Sequence, residues 1–138
     1  MNHLEDNDLY TVLSIKEHSE HVICTVENNK KIINCEKCGD KLIMFGRKNL
    51  LLRDCPRQSY LQKKIFISFR RRKYLCNSCH KYYTEDVPSR LGRRKFTRQF
   101  INLILQECRK KPIVRVADEY YIHERTVHNL LSELEALE

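Results

Sequence analysis

Two short cysteine motifs constrain this chain more than any other sequence feature. Cys35-Glu-Lys-Cys38 and Cys76-Asn-Ser-Cys79 each place two thiols three positions apart, and 37 residues separate the motifs. Together they supply four thiolates, which is the full ligand set of a closed tetrahedral zinc site. Paired motifs are far more specific than a single one, so we predict one structural zinc ion held by Cys35, Cys38, Cys76 and Cys79. A closed site of this kind supports the fold and does not catalyse.

The backbone after each motif must turn sharply, so that N–H groups can face the sulfurs. The residue that follows often needs a positive φ, which Gly39 adopts freely and His80 tolerates. His80 also remains open as a replacement ligand for one cysteine, and Cys55 as an exposed thiol near the metal. Cys24 and Cys108 lie in apolar patterns and are predicted to be ordinary core residues.

A second cofactor also fits part of the pattern, because Cys76-Asn-Ser-Cys79-His80 has the spacing of a c-type haem attachment site. Haem is normally attached after export. The first residues, MNHLEDNDLYTVLS, contain no basic segment, apolar segment or small-residue cleavage site of a secretion signal. We therefore expect a cytoplasmic protein, where cysteine patterns indicate metal binding or catalysis more often than disulfides.

The charge is unevenly distributed along the chain. The formal net charge is +8, yet residues 1–30 hold two Lys/Arg against six Asp/Glu, while residues 31–115 hold 23 against six. Such a basic excess predicts a polyanionic partner, above all a nucleic acid. Arginine-led clusters at 70–73 and 93–95 stand beside aromatic residues. No apolar run approaches the ~18 residues of a membrane span, so no membrane partner is expected.

Periodicity predicts an α+β chain. The first half, residues 1–88, is predicted to be a small β-rich zinc ribbon that begins with a β-hairpin. Its strands are expected over Leu9–Ile15, His21–Glu27, Lys41–Phe45, Asn49–Arg53 and Tyr60–Leu75. The last of these strands contains the arginine-rich residues 70–73 and ends directly before the second cysteine motif.

The second half is predicted to be helical. Residues 89–96 form a basic linker, and residues 97–138 form a three-helix domain with Thr97 as the first N-cap. The second helix is expected over Ile113–Tyr120, and the third from about Glu124 to Leu137. Ala117, Ile122 and Val127 have the five-residue spacing of a helix-turn-helix unit, in which a small residue allows close helix packing. The turn departs from that pattern, since Tyr121 stands where glycine is usual.

The whole order of motifs resembles the N-terminal half of insertion-sequence transposases of the ISL-three family. That family has a zinc ribbon with an arginine-rich strand before the pattern C-x-x-C-x-x-x-[FY]-[TV]-E, matched here by Cys76, Cys79, Tyr83, Thr84 and Glu85. The resemblance runs from about Leu9 to Leu131. It implies recognition of terminal inverted repeats in double-stranded DNA. The long acidic catalytic domain of the family has no counterpart here, which indicates a truncated element or a stand-alone gene.

The predicted function is therefore DNA binding in the nucleoid, without enzymatic activity or a small-molecule substrate. The sequence leaves open whether the chain forms a homodimer. Glu85-Asp86 is read as a solvated loop. Base contacts are expected from the third helix and phosphate contacts from the basic clusters. The predicted DNA-binding residues are Arg70, Arg71, Arg72, Lys73, Arg93, Arg94, Lys95, Arg98, Arg125, Thr126, His128 and Asn129. Alternatives are a transcriptional regulator built from the same domains, a structural ribbon docking on RNA or protein, and a stand-alone nuclease.

Overall fold

The computed structural model describes residues 9–60, 62–87 and 94–135, with only the backbone at 134–135. It confirms an α+β chain in which a five-stranded sheet precedes three helices. The strands are β1 (Tyr10–Glu17), β2 (His21–Asn28), β3 (Ile43–Asp54), β4 (Lys64–Leu75) and β5 (Tyr82–Thr84). The helices are α1 (Arg98–Lys110), α2 (Ile113–Glu119) and α3 (Glu124–Glu135). No helix in the described ranges is long and apolar enough to cross a membrane.

Strand β4 organises the sheet, whose order is β1-β2-β4-β3. β1 and β2 form the expected antiparallel hairpin, and β3 and β4 form a second one. The first half of β4 pairs in parallel with β2, and its last residues pair with β5. β2, β3 and β5 all pair with β4, so the position of every strand except β1 depends directly on β4.

The core of the sheet follows the two-residue alternation of extended chain. Val22 and Val26 of β2 lie beside Ile65, Ile67 and Phe69 of β4, and all five side chains are buried. Cys24 belongs to the same row and is fully buried, as predicted.

Strand β3 differs from the prediction. Two short strands were expected, separated by Gly46-Arg47-Lys48, but Ile43–Asp54 forms one continuous strand of 12 residues. The irregularity is a single register shift between Met44 and Gly46, which makes Phe45 the bulged residue. Glycine therefore marks a bulge here, and the chain does not turn until after Asp54.

The helices pack around one apolar cluster, formed mainly by Phe100, Ile101, Ile104, Val116 and Val127. Thr97 caps α1 as predicted, because its hydroxyl accepts a hydrogen bond from the Phe100 amide at 3.3 Å. α2 and α3 are joined by residues 120–123. Tyr121 adopts a φ of 54°, so a non-glycine residue does take the left-handed turn.

The end of β3 joins the sheet to the helices. The Arg53 guanidinium donates to the carbonyl oxygens of Tyr120 and Tyr121 and lies 5.1 Å from the Phe100 ring centre. Arg53 also exchanges backbone hydrogen bonds with Lys95 and Thr97. Residues 94–96 of the predicted linker thus run beside β3, and residues 89–93 lie outside the described part of the chain.

Candidate metal centre and nucleic-acid interface

Both cysteine motifs form the tight turns expected of metal-binding knuckles. In the first, the Gly39 amide donates to the Cys35 carbonyl at 2.9 Å; in the second, the Cys76 amide donates to the Lys81 carbonyl at 2.9 Å. Gly39 has a φ of 78° and His80 a φ of 58°. The predicted positive φ after each motif is therefore confirmed, and the turns leave the thiols pointing to one place.

The four thiols of Cys35, Cys38, Cys76 and Cys79 form one cluster, with all sulfurs within 4.8 Å of one another. The Cys35–Cys79 and Cys38–Cys76 sulfur pairs are 3.6 and 3.3 Å apart. Metal–sulfur bonds of about 2.3 Å in a tetrahedron give sulfur separations of about 3.8 Å. All seven cysteines of the chain are free, so no disulfide competes for these thiols. The cluster therefore fits a metal ion that is coordinated by four sulfurs.

The thiol environment also favours a cation. A hydrogen bond with the Tyr83 hydroxyl, at 3.0 Å, lowers the pKa of Cys35 to about 6. The pKa of Cys38 rises to about 12: the Asp40 backbone lowers it, but the shared bond with Cys76, burial and the other thiols raise it more. Four thiolates crowded this closely repel one another, and a bound cation removes that repulsion.

A small apolar cluster supports the sulfurs from the sheet. Leu42 and Tyr74 are buried against Cys35 and Cys76, with Ile32 and Tyr83 partly buried beside them. His80 is exposed and lies outside the four-sulfur cluster. Cys55 also lies outside it, half-buried against the helical core, so it is neither exposed nor close to the metal site.

Arg72 has a structural environment that the sequence did not reveal. Its side chain is only 6% exposed, and its guanidinium pairs with Glu85 at 3.0 Å and with Glu27. The Glu85 carboxylate also accepts the Arg72 backbone amide at 2.7 Å. Arg72 is therefore removed from the predicted phosphate contacts, and Glu85, which is 1% exposed, is not part of a solvated loop.

Two residues of the arginine run, Arg71 and Arg72, face like charges on β3. Lys48 pairs with Arg71, Arg47 with Arg72, and Asn49 with Arg70 across the antiparallel ladder. We call the five cations around this pairing the basic ladder: Arg47, Lys48, Arg70, Arg71 and Lys73. Arg47 and Lys48 are not among the predicted contacts, and they lie between the two short strands that the sequence predicts over Lys41–Phe45 and Asn49–Arg53.

The other predicted DNA contacts lie in the helical half. Arg94 pairs with Glu133 at 2.6 Å, whereas Lys95 and Arg98 are exposed; Arg93 lies outside the described residues. On α3, Val127 and Leu130 are buried, while Arg125, His128 and Asn129 are exposed and Thr126 is half-buried. His128 lies 3.6 Å from the Glu124 carboxylate. These α3 residues are brought together on one helix, apart from the basic ladder.

Fold and site together define the class as a small α+β protein with a four-cysteine cluster that could hold a metal ion. Comparison with protein-family models, curated proteins and solved structures finds no match to this chain.

Proposed function

We propose that this chain is a zinc-stabilised module that binds double-stranded DNA, resembling the inverted-repeat-recognition half of an ISL-three family transposase. The zinc ion, bound by Cys35, Cys38, Cys76 and Cys79, holds the two knuckles together and leaves no ligand position for catalysis. Binding positions the chain on its target in the nucleoid. Cutting and joining of DNA belong to the family's catalytic domain and are not assigned to this chain.

The pairing of Lys48 with Arg71 carries the proposal. Like charges directly opposite each other on neighbouring strands destabilise a sheet. The neighbouring pair, Arg47 and Arg72, repeats this arrangement, and only Arg72 and Arg47 have Glu27 nearby to offset it. A row of phosphates relieves the remaining repulsion, since each contact neutralises a cation and releases a counterion. A polyanion is therefore the partner that best accounts for the basic ladder.

The arrangement of α2 and α3 favours duplex DNA among polyanions. Ala117 is buried between the helices, and the small side chain allows them to approach closely. Ile122 and Val127 fill the turn and the second helix, as in helix-turn-helix units. The exposed side chains near the start of α3 carry hydrogen-bond donors. Arg125 is suited to bind guanine and Asn129 to bind adenine.

Selection of bound duplexes from a random pool tests the proposal directly. The zinc-loaded chain should enrich one sequence, and affinity should fall steeply as salt rises. A Lys48→Ala/Arg71→Ala double variant should bind every duplex more weakly, with a salt slope lower by about two counterions. Lys16→Ala, at an exposed position of β1, is the matched control and should change affinity little. Recovery of a random pool without enrichment would count against sequence-specific binding.

A further inference from the structure

One end of the sheet presents an uncovered apolar row. Ile43 pairs with Leu75, and Leu75 pairs with Tyr82, so the three side chains cross β3, β4 and β5 on the same face. Ile43 is 50% exposed and Tyr82 66% exposed. Further along the same face, Leu50 and Phe69 belong to the covered core. In the described part of the chain, packing over this face therefore stops before the row is reached.

The bulge in β3 adds a second aromatic ring to this row. Phe45 is the extra residue between Met44 and Gly46, and it is 49% exposed. Its ring meets the Tyr82 ring edge-on, with centroids 5.5 Å apart. Lys73 lies over the Phe45 ring, 5.4 Å from its centre. Gly46, opposite Lys73, has open space where a side chain would stand. The bulge thus exposes an aromatic pair with a cation beside it.

The surroundings of this aromatic pair are uniformly basic. Residues 43–48, 70–75 and 82–84 contain six Lys/Arg and no Asp/Glu. Glu27 and Glu85 pair with Arg72 inside the protein, and Glu27 also lies 3.9 Å from Arg47. Of the basic ladder, Lys48, Arg71 and Lys73 lie on the same face as Phe45, whereas Arg47 and Arg70 lie on the opposite face. A large partner bound here must bring flat apolar groups and negative charge together.

We infer that this face binds unpaired bases of single-stranded DNA, with Phe45 and Tyr82 as the stacking surface and Lys48, Arg71 and Lys73 of the basic ladder as the phosphate contacts. Stacking on exposed aromatic rings next to a cationic groove is how proteins hold single strands without reading their sequence. Phosphate contacts along a paired duplex need no exposed rings, because the bases are stacked inside it. A second copy of this chain would bring its own cations against the same row, which opposes self-association. The choice of DNA over RNA rests on the proposed function.

The test measures binding of a labelled oligothymidine of about 12 nucleotides, within the ~4–16-nucleotide range of such surfaces, by fluorescence anisotropy. Phe45→Ala and Tyr82→Ala should each weaken binding by about fivefold or more, since one stacked base contributes at least ~1 kcal/mol. Phe45→Trp, which keeps a ring, should retain the affinity. The matched control is Leu13→Ala, because Leu13 is also an exposed bulged residue but lies on β1. Circular dichroism and zinc content verify that every variant is folded.

Parallel titrations separate this inference from the proposed function. The Phe45→Ala/Tyr82→Ala variant should keep its duplex affinity within about twofold while its affinity for the single strand is lost. Variants of α3 should lose duplex affinity and keep their affinity for the single strand. Equal losses of affinity for the duplex and for oligothymidine, or no loss of affinity for oligothymidine, would overturn the stacking role. Concentration-dependent self-association abolished by the same double variant, without single-strand binding, would overturn it as well. Equal or tighter binding of oligouridine would overturn the choice of DNA.

Discussion

Arg72 and Glu85 form a buried pair held at two points: the guanidinium lies 3.0 Å from one carboxylate oxygen, and the Arg72 backbone amide donates to the other at 2.7 Å. The Glu85 amide returns a hydrogen bond to the Arg72 carbonyl. The pair extends the contact between β4 and the segment after β5. The nearby negative charge of Glu85 and Glu27 outweighs burial, so the pKa of Arg72 is raised and its charge is retained.

Removing one partner of this pair should be costly. Glu85→Ala leaves the Arg72 guanidinium buried with Glu27 alone, so we expect a loss of about 3 kcal/mol in the free energy of unfolding, the lower end for a broken buried pair. Asp86→Ala, at the exposed neighbour, is the control and should stay within about 0.5 kcal/mol. Urea unfolding measures both. Replacing the two partners together, by Arg72→Met with Glu85→Leu, should recover only part of the loss, because the Arg72 backbone amide still lacks its carboxylate acceptor. A small effect of Glu85→Ala would contradict this account.

Metal removal should affect the two halves unequally. The purified chain should carry about one zinc ion, whose binding is worth roughly 10–16 kcal/mol in comparable structural sites. Chelation or Cys76→Ser should unfold the cysteine-cluster end of the sheet while the helices keep part of their structure. Metal analysis and circular dichroism check this outcome. Cys55→Ser should keep its zinc, since Cys55 lies outside the cluster; zinc loss in that variant, or a fully folded metal-free protein, would be inconsistent with the assignment.

The cap of α1 should be sensitive to loss of a single hydroxyl. Thr97 accepts from the Phe100 amide and donates to the buried Asp54 carboxylate at 2.6 Å. Thr97→Ala loses both bonds and should destabilise the fold by about 2 kcal/mol. Thr97→Ser keeps the hydroxyl and should lose clearly less. Denaturant midpoints of the two variants give the comparison, and equal losses would mean that the methyl group matters more than the cap.

Arg53 should couple the sheet to the helices through its planar guanidinium. Lysine at this position cannot reach both carbonyl oxygens and stack on Phe100 at once, so Arg53→Lys should lower stability by about 1–3 kcal/mol. Hydrogen exchange should become faster at the amides of residues 120–123. Arg98→Lys, at an exposed position of α1, should have little effect. If exchange in the turn were unchanged, the Arg53 contacts would not hold the helices in place.

The exposed side chains of α3 should discriminate between DNA sequences. Arg125→Ala and Asn129→Ala should each cost roughly 1–3 kcal/mol on the selected duplex and little on a random one. Lys48→Ala should instead weaken both duplexes alike and lower the salt slope by about one. Competition titrations with the two duplexes distinguish these patterns. Equal losses on both duplexes for the α3 variants would show that this helix does not read sequence.

Local patterns predicted the features that depend on local chemistry. The spacing of Cys35 and Cys38, the left-handed residues after each motif, the Thr97 cap and the burial of Ala117 each follow from a few neighbouring residues. Contacts between distant segments could not be predicted in this way. Nothing near Arg72 in sequence marks Glu27 as a partner, and the parallel pairing of β2 with β4 joins strands that are far apart along the chain.

The same limitation explains the residues that were misplaced. The Gly46-Arg47-Lys48 segment has the composition of a turn, yet the continuous pairing of β3 with β4 keeps it extended. Arg53 resembles a surface residue at a strand end, and its burial depends on the turn after α2, which lies more than 50 residues further along the chain. A charged residue is buried at such a site only because another segment supplies its partners.

The β3–β4 hairpin also sets the distance between the cysteine cluster and the helices. β3 runs from Ile43, beside the cysteine cluster, to Asp54, beside the helices. Because Phe45 is bulged, the paired strand β4 covers this stretch in the ten residue steps from Ile65 to Leu75, which at about 3.3 Å each span roughly 33 Å. One turn of B-DNA measures about 34–36 Å. A duplex lying along the hairpin would therefore present the same groove to both ends of the protein, and its two contact zones would be in phase, about ten base pairs apart.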